Sequence, residues 1–491
     1  MKTTLLFVHK WLGIALALLF LVWFASGVVL YFVPFPNLTP AARLAGMPVL
    51  AVGDACCMTA QQAAARAGIA AAEARLGMLG DTPVWRLLRT APDRRWIAVD
   101  ARTGALLPAL TAPQALAMAA AFSGRRALHA QALERDQWTV AQGFNPYRPL
   151  LRVELDGDDG LELYVSPGAA DVVGATRRAE RAWNWVGAIP HWIYFTELRR
   201  WPERWHNVVV WLSLPGVLLA ATGLALGIWQ LFLNRARWIP YRIFWMRWHH
   251  ILGLAAGVVT LTWIFSGLMS MNPFSVFSPR GATADEQRRW TGPAAQATLP
   301  PAAALRLARP LAVREMEILR FNGQAWYRVR GVDTTLLVRA DSDTGSTALA
   351  ALPDADVRSA LARLRDAAPV ELTRLIAYDE LYYARGASPA QRQNRPLPVW
   401  RARWADGVAA YVDPAAARIV LRADDSNRWQ RLLYNGLHSF DFAPLLARPW
   451  LRDGLVLVLS LLGVAMSITA CVAAWRVFVP RKRRSQPASM P

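Results

Sequence analysis

The chain has 491 residues, 54% hydrophobic and only 18% charged, where soluble domains carry roughly 25% charged residues. This excludes a disordered chain, a collagen-like chain and a disulfide-dense secreted scaffold. The 55 Lys+Arg against 35 Asp+Glu leave a net charge of +20, but with 23 Trp and lysine only at Lys2, Lys10 and Lys482 the composition fits a membrane-interface aromatic belt, not a nucleic-acid groove.

Taken in chain order, four runs reach the roughly 20 apolar residues that span a hydrocarbon core. The first covers residues 11–33. It is too long for the apolar part of a signal peptide and no small-residue cleavage site precedes Pro34, so it is read as a retained helix. A long loop, 34–205, follows. Within it, residues 59–75 are Ala-rich and predict a short helix. Residues 84–88 and 96–100 predict strands, and Asp100-Ala101-Arg102-Thr103-Gly104 predicts the turn after them. Tyr164-Val165-Ser166-Pro167-Gly168 adds a further strand and turn.

The second apolar run is 208–233, followed by a connector at 234–250 and the third run at 251–271. The second long loop, 272–452, carries a strand at 335–339, a turn at Asp341-Ser342-Asp343-Thr344-Gly345 and a strand and turn at Tyr411-Val412-Asp413-Pro414. The fourth run is 455–479 and the tail 480–491. Arg235, Arg237, Arg242 and Arg247 on the connector place it in the cytoplasm, as do Arg476, Arg481, Lys482, Arg483 and Arg484 near the C-terminus. Both termini are then cytoplasmic, and the long loops, which cross largely regardless of charge, lie in the periplasm of a Gram-negative cell.

An internal duplication organises the chain. His9-Lys10-Trp11-Leu12-Gly13 recurs as His249-His250-Ile251-Leu252-Gly253, and at that offset Trp23 meets Trp263 and Ser26-Gly27 meets Ser266-Gly267. Further on, Trp85 meets Trp326, Asp100 meets Asp341 and Thr103-Gly104 meets Thr344-Gly345. Later still, Tyr164-Val165 meets Tyr411-Val412, and Arg181, His191, Pro202 and Thr222 meet Arg428, His438, Pro449 and Thr469. The expected fold is therefore an α-helical membrane protein. Its four transmembrane helices form two tandem repeats, each with a periplasmic α+β domain, related by a pseudo-two-fold axis along the membrane normal.

Of the seven histidines, only His129 lies well inside a loop; the others sit at or beside helix ends. His9 and His249 are repeat-equivalent at the cytoplasmic side, His191 and His438 at the outer side. A pseudo-two-fold axis brings each pair together, and two facing imidazoles are what six-coordinate haem iron requires. Two centres would carry electrons across about 30 Å of hydrocarbon. No Cys-x-x-Cys-His occurs, so the haem would be b-type. There is likewise no His-Glu-x-x-His or Cys-x-x-Cys zinc motif, no phosphate-binding Gly-x-x-x-x-Gly-Lys loop and no dinucleotide fingerprint. Cys56 and Cys57 are adjacent, a poor geometry for a disulfide, and Cys471 reads as a small apolar helix residue.

Gly223-Leu-Ala-Leu-Gly227 and Gly253-Leu-Ala-Ala-Gly257 allow a neighbouring helix or a flat macrocycle to approach. Trp183, Trp185, Trp192, Trp201, Trp205 and Trp211 crowd the outer entry to the second helix as interfacial anchors or a ledge for a substrate.

The paired His-x-x-x-Gly helix starts, the Asp-x-x-Thr-Gly turns, the Tyr-Val-x-Pro strands and the later His191 and His438 resemble the PepSY-associated transmembrane (PepSY_TM) proteins over nearly the whole chain. That resemblance implies PepSY-like outside domains and an iron-regulated inner-membrane protein. It also implies a ferric-siderophore reductase with two b-type haems, the inner held by His9 and His249 and the outer by His191 and His438. Its partners would be a periplasmic ferric siderophore, the lipid bilayer, and a cytoplasmic flavoprotein or membrane quinol as electron donor. Two features depart from the pattern. His250 adjoins His249, and neighbouring helical residues point about 100° apart; His206 has Asp453 as its repeat equivalent. Either could substitute as a ligand. Two other function classes fit the sequence. One is a haem-free PepSY protein that binds peptides or restrains a protease. The other is an iron-chelate permease, for which the helix middles offer only Ser26, Ser266, Thr222, Thr260, Thr262, Ser460 and Thr469.

Overall fold

The computed structural model describes residues 2–54, 56–233, 239–342, 345–385 and 395–478. Arg235 and Arg237 of the connector, Asp343 and Thr344 of the second turn, and the basic tail residues Arg481 to Arg484 lie outside the described residues. The chain divides into two compact units, one comprising Met1–Phe35, Trp183–Val276 and Trp429–Pro491, the other Pro36–Ala182 and Phe277–Arg428.

The first unit holds four helices long and apolar enough to cross a membrane: Lys2–Phe32, Pro202–Leu233, Phe244–Ser270 and Pro449–Phe478. Each starts several residues before its apolar run. Hydropathy marks only the lipid-compatible stretch, whereas the i to i−4 hydrogen bonds continue through flanking polar turns. The helices form a ring, the first and third each packing against the second and the fourth. Leu16, Phe20, Phe24 and Leu219 are buried at its centre, with Trp23, Trp263, Ile264, Val464 and Met466 packed around them. Small residues permit this packing. A Cβ on Gly463 would stand 2.2 Å from the Phe24 ring and one on Gly216 3.5 Å from Phe20.

In the second unit the strands are β1 (Ala71–Leu79), β2 (Thr82–Arg89), β3 (Trp96–Asp100), β4 (Ala127–Leu133), β5 (Leu150–Leu155), β6 (Glu162–Ser166) and β7 (Asp171–Thr176). The later segment adds β8 (Glu315–Phe321), β9 (Gln324–Arg330), β10 (Thr335–Arg339), β11 (Ala348–Leu349), β12 (Glu371–Leu375), β13 (Val399–Arg403), β14 (Ala409–Asp413) and β15 (Arg418–Ala423). Both segments run in the same order: a strand meander, a helix (Ala112–Ser123 or Asp354–Ala362), then a four-stranded meander. The four-stranded meanders stay separate sheets, but the first meanders of the two segments do not. Edge strands β1 and β8 pair antiparallel at Arg75↔Glu317 and Leu76↔Met316, giving one seven-stranded sheet in the order β11-β10-β9-β8-β1-β2-β3. Pairing the two edges satisfies backbone groups that each would otherwise expose. Trp85, Leu87 and Val99 share one core with Met316, Tyr327 and Val338.

The Ala-rich stretch 59–75 is not one helix. The helix covers Ala60–Arg66, Gly68 takes φ +68°, and Ala71 already belongs to β1, where pairing with β2 overrides alanine's weak helical preference. The Asp100 turn forms as expected: Asp100 Oδ1 accepts the backbone N–H groups of Arg102 and Thr103 at 2.7 and 2.9 Å, and Gly104 takes φ +75°. Cys56 and Cys57 are joined by a disulfide, their Cα atoms 3.2 Å apart, so adjacency did not prevent pairing.

Charges cluster where β1 meets β8. Arg43 pairs with Asp171 at 2.6 Å and Glu315 at 2.7 Å, Arg330 with Glu315 at 3.1 Å, and Arg75 with Glu317 at 3.6 Å. Glu315 is fully buried. Burial alone would raise its carboxyl, but the guanidiniums of Arg43, Arg75 and Arg330 outweigh it and hold the pKa down at about 2. Removing one partner of such a cluster leaves buried cations under-compensated. Glu315→Ala should therefore cost about 3 kcal/mol at neutral pH, measured by denaturant unfolding of the detergent-solubilised chain. Because the folded pKa is depressed, the wild-type advantage should hold above the unfolded value of 4.5 and fade as pH falls toward about 2.

Candidate functional site

Two pairs of histidines face each other within the helical unit. His9 on the first long helix and His249 on the third have ring centres 6.3 Å apart. His191 and His438 repeat that separation, 6.3 Å, elsewhere in the unit. Neither of these two lies on a long helix. His191 rides on the short helix Ala188–Trp192, which packs against the first long helix. His438 rides on Leu437–Ser439, beside the third. Both short segments end on a bulky residue in the left-handed region, Ile193 and Phe440 at φ 52°. For a β-branched residue such as Ile193 this is an outlier, and backbone strain of this kind clusters at functional sites. A π-helical turn at Arg431–Gly436 precedes His438; such turns are also frequent at functional sites.

Each imidazole is held by its Nδ1. In His9, Nδ1 lies 3.2 Å from the Leu219 carbonyl, and in His191, 3.1 Å from the Trp23 carbonyl. A carbonyl can only accept, so both Nδ1 atoms carry the proton. His249 Nδ1 is 3.1 Å from Thr469 Oγ1, and His438 Nδ1 is 3.0 Å from Ser266 Oγ. Those hydroxyls already donate to carbonyls of their own helix, Thr469 to Met466 at 2.6 Å and Ser266 to Trp263 at 3.1 Å. They therefore act as acceptors toward the rings. All four histidines are thus set as the tautomer whose lone pair lies on Nε2, the form that ligates a metal.

Glycines make room for three of these rings. A Cβ on Gly223 would stand 2.6 Å from His9 Cε1, one on Gly27 3.1 Å from His191 Cε1, and one on Gly267 3.5 Å from His438 Cε1. Gly253, by contrast, has nothing within 4 Å of its Cβ position.

The two alternative histidines are in neither pair. His250 stands edge-on to Tyr241, ring centres 5.4 Å apart, as expected for a residue about 100° around the helix from His249. His206 lies on the second long helix, and His129 on β4. Of the Trp cluster, Trp183, Trp185, Trp192, Trp201 and Trp211 are exposed, and Arg199 and Arg204 stack over Trp205 and Trp201.

The donor set discriminates among metals. No group of three or more His, Cys, Asp or Glu that could hold an ion occurs among the described residues. A bare structural ion of the zinc type wants four donors, whereas haem brings four nitrogens and asks the protein for two axial ligands. The spacing fits as well. An imidazole nitrogen sits about 2.0–2.1 Å from a bound metal, so two trans imidazoles have ring centres about 6 Å apart. The residues present fit a haem at each pair. No family model matches the chain, and no curated protein sequence matches it.

Sequence reasoning noted Ser26-Gly27, Ser266-Gly267 and Thr469 as matched positions, and Ser26, Ser266 and Thr469 as polar residues of the helix middles; their work on the imidazoles was missed. The signal was present, since the Ser-Gly pair recurs at the same offset as the histidines. Gly223→Ala should displace the His9 ring and, if each histidine pair holds a haem, lower haem per chain by about half, whereas Gly253→Ala should leave it unchanged. A pyridine haemochrome assay measures both.

Proposed function

We propose that this chain is a PepSY-associated transmembrane protein that moves electrons across the bacterial inner membrane to a ferric siderophore in the periplasm, releasing Fe(II). The observation that carries this reading is the pair of imidazole pairs, each at the spacing of a bis-histidine haem. In this reading the chain is a tandem duplication with both termini cytoplasmic. The sheet-bearing unit is periplasmic and PepSY-like, and the electron donor is a cytoplasmic flavoprotein or membrane quinol.

Two b-type haems, when bound, would supply one-electron Fe(III)/Fe(II) couples. The chain's own residues do the rest. His9 and His249 would ligate the inner haem and His191 and His438 the outer, while the Nδ1 hydrogen bonds hold each ring's tautomer and orientation. Along the first helix Ser26, which touches His191 at 3.4 Å, lies 17 residues beyond His9, about 26 Å at 1.5 Å per residue. That separation suits one centre near each face of the bilayer. Between them Phe20, Trp23, Phe24 and Trp263 fill the bundle and keep out water and ions, which favours electron transfer over passage of a chelate. At the acceptor, reduction to the softer Fe(II) weakens bonds to hard oxygen ligands, and guanidinium groups such as those of Arg199 and Arg204 suit anionic chelates.

His9→Ala and His249→Ala should each lower haem content by about one per chain, and His250→Ala should leave both haems in place. Absorption spectra before and after dithionite report this directly. The substrate assignment is checked by reducing the protein anaerobically and adding ferric siderophores. Rapid reoxidation with Fe(II) trapped by ferrozine is the expected result; reoxidation by quinones alone would make the protein a quinone-linked carrier instead.

A further inference from the structure

We propose that Ser266 and Thr469 are positioning residues that set the electron-donating strength of His438 and His249, and through them the reduction potential of each centre. The inference rests on the di-haem reading above. Each pair combines two kinds of acceptor. One imidazole donates Nδ1–H to a backbone carbonyl: His9 to Leu219 at 3.2 Å, His191 to Trp23 at 3.1 Å. The other has a side-chain hydroxyl at Nδ1, Thr469 at 3.1 Å for His249 and Ser266 at 3.0 Å for His438; the Met466 carbonyl also bonds the His249 ring, and Ser26 Oγ lies farther off, 3.4 Å, from His191. Both hydroxyls are buried, Ser266 fully and Thr469 at 5% exposure, and both have committed their own hydrogen to a carbonyl. They accept, and have no second proton to offer.

A hydrogen bond accepted from Nδ1–H raises the basicity of the ligating nitrogen. Ferric iron carries one more positive charge than ferrous and gains more from a basic ligand. The acceptor therefore biases the couple toward Fe(III) and lowers its potential, and a low-dielectric interior strengthens the effect. Withdrawing the hydroxyl should relax that bias. The two sites also act on different centres, so each substitution should move a different wave.

The test is a spectroelectrochemical titration of the full-length, detergent-solubilised protein, with dithionite as reductant and ferricyanide as oxidant, after haem per chain has been counted. Ser266→Ala should raise one midpoint potential and Thr469→Val the other. A tenfold loss of ferric preference reads as an upward shift of about 59 mV for a one-electron couple. Ser266→Thr and Thr469→Ser keep a hydroxyl and should stay near the wild-type values. If Ser266→Ala or Thr469→Val instead loses one haem while its hydroxyl-bearing counterpart keeps both, the positioning role is supported through affinity. Loss of haem in both kinds of variant would show that side-chain volume matters and the hydroxyl does not, and overturns the inference. Two haems per chain with neither wave moved overturns it too, while leaving the di-haem reading intact. A chain that binds no haem overturns both.

Discussion

An imidazole buried among apolar helices can present its lone pair in a fixed direction only if its other nitrogen is held. In water that nitrogen would find a partner anywhere. In a bundle core an unmet N–H costs free energy and leaves the ring free to turn. The helical unit meets this constraint four times, with backbone carbonyls at His9, His191 and His249 and with hydroxyls, whose own protons are already used, at His249 and His438. The 6.3 Å ring separations follow from those hydrogen bonds as much as from the helix positions. The glycines at 27, 223 and 267 belong to the same solution, since a methyl group at Gly223 would overlap the ring that the Leu219 carbonyl orients.

The two pairs are built differently. His9 and His249 stand on long helices, where side-chain direction is set by the regular backbone. His191 and His438 stand on short segments that end on Ile193 and Phe440 in left-handed conformations. Each helical segment ends one residue past its histidine, at Trp192 and Ser439, and the left-handed residue follows at once. Between the pairs the bundle is packed with aromatic side chains, Phe24 lying where only a glycine at 463 leaves space. This is a solid interior with imidazole pairs at separate levels.

The sheet-bearing unit follows a different logic. Its two segments share an order of elements, yet they merge through a β1–β8 contact of two residue pairs. So short a junction gains support from the ionic cluster around Glu315, in which Arg43 links the short helix Pro40–Gly46 before β1 to both Asp171 and Glu315. Buried ion pairs are weak evidence for net stability. Here the cluster also fixes register, because a one-residue slip would bring Met316 to the position of Glu317.

Much of this was legible in the sequence. Four apolar runs of spanning length, strands at 84–88 and 96–100, the Asp100 turn and the matched positions of four histidines all follow from local composition, periodicity and internal comparison. Those signals are local, or compare one part of the chain with another. What only the tertiary structure decided depends on distance between residues far apart in sequence. It set His249 rather than His250 against His9, because helix phase is resolved only once a neighbour is in place. It made Ala71–Leu79 a strand, because pairing with β2 outweighs alanine's preference. It joined the first strand meanders of two expected domains into one sheet, because exposed edges are satisfied by each other. And it turned Ser266 and Thr469 from two more polar residues in apolar helices into acceptors for buried imidazoles, a role that exists only when the third helix, the fourth helix and the segment bearing His438 come together.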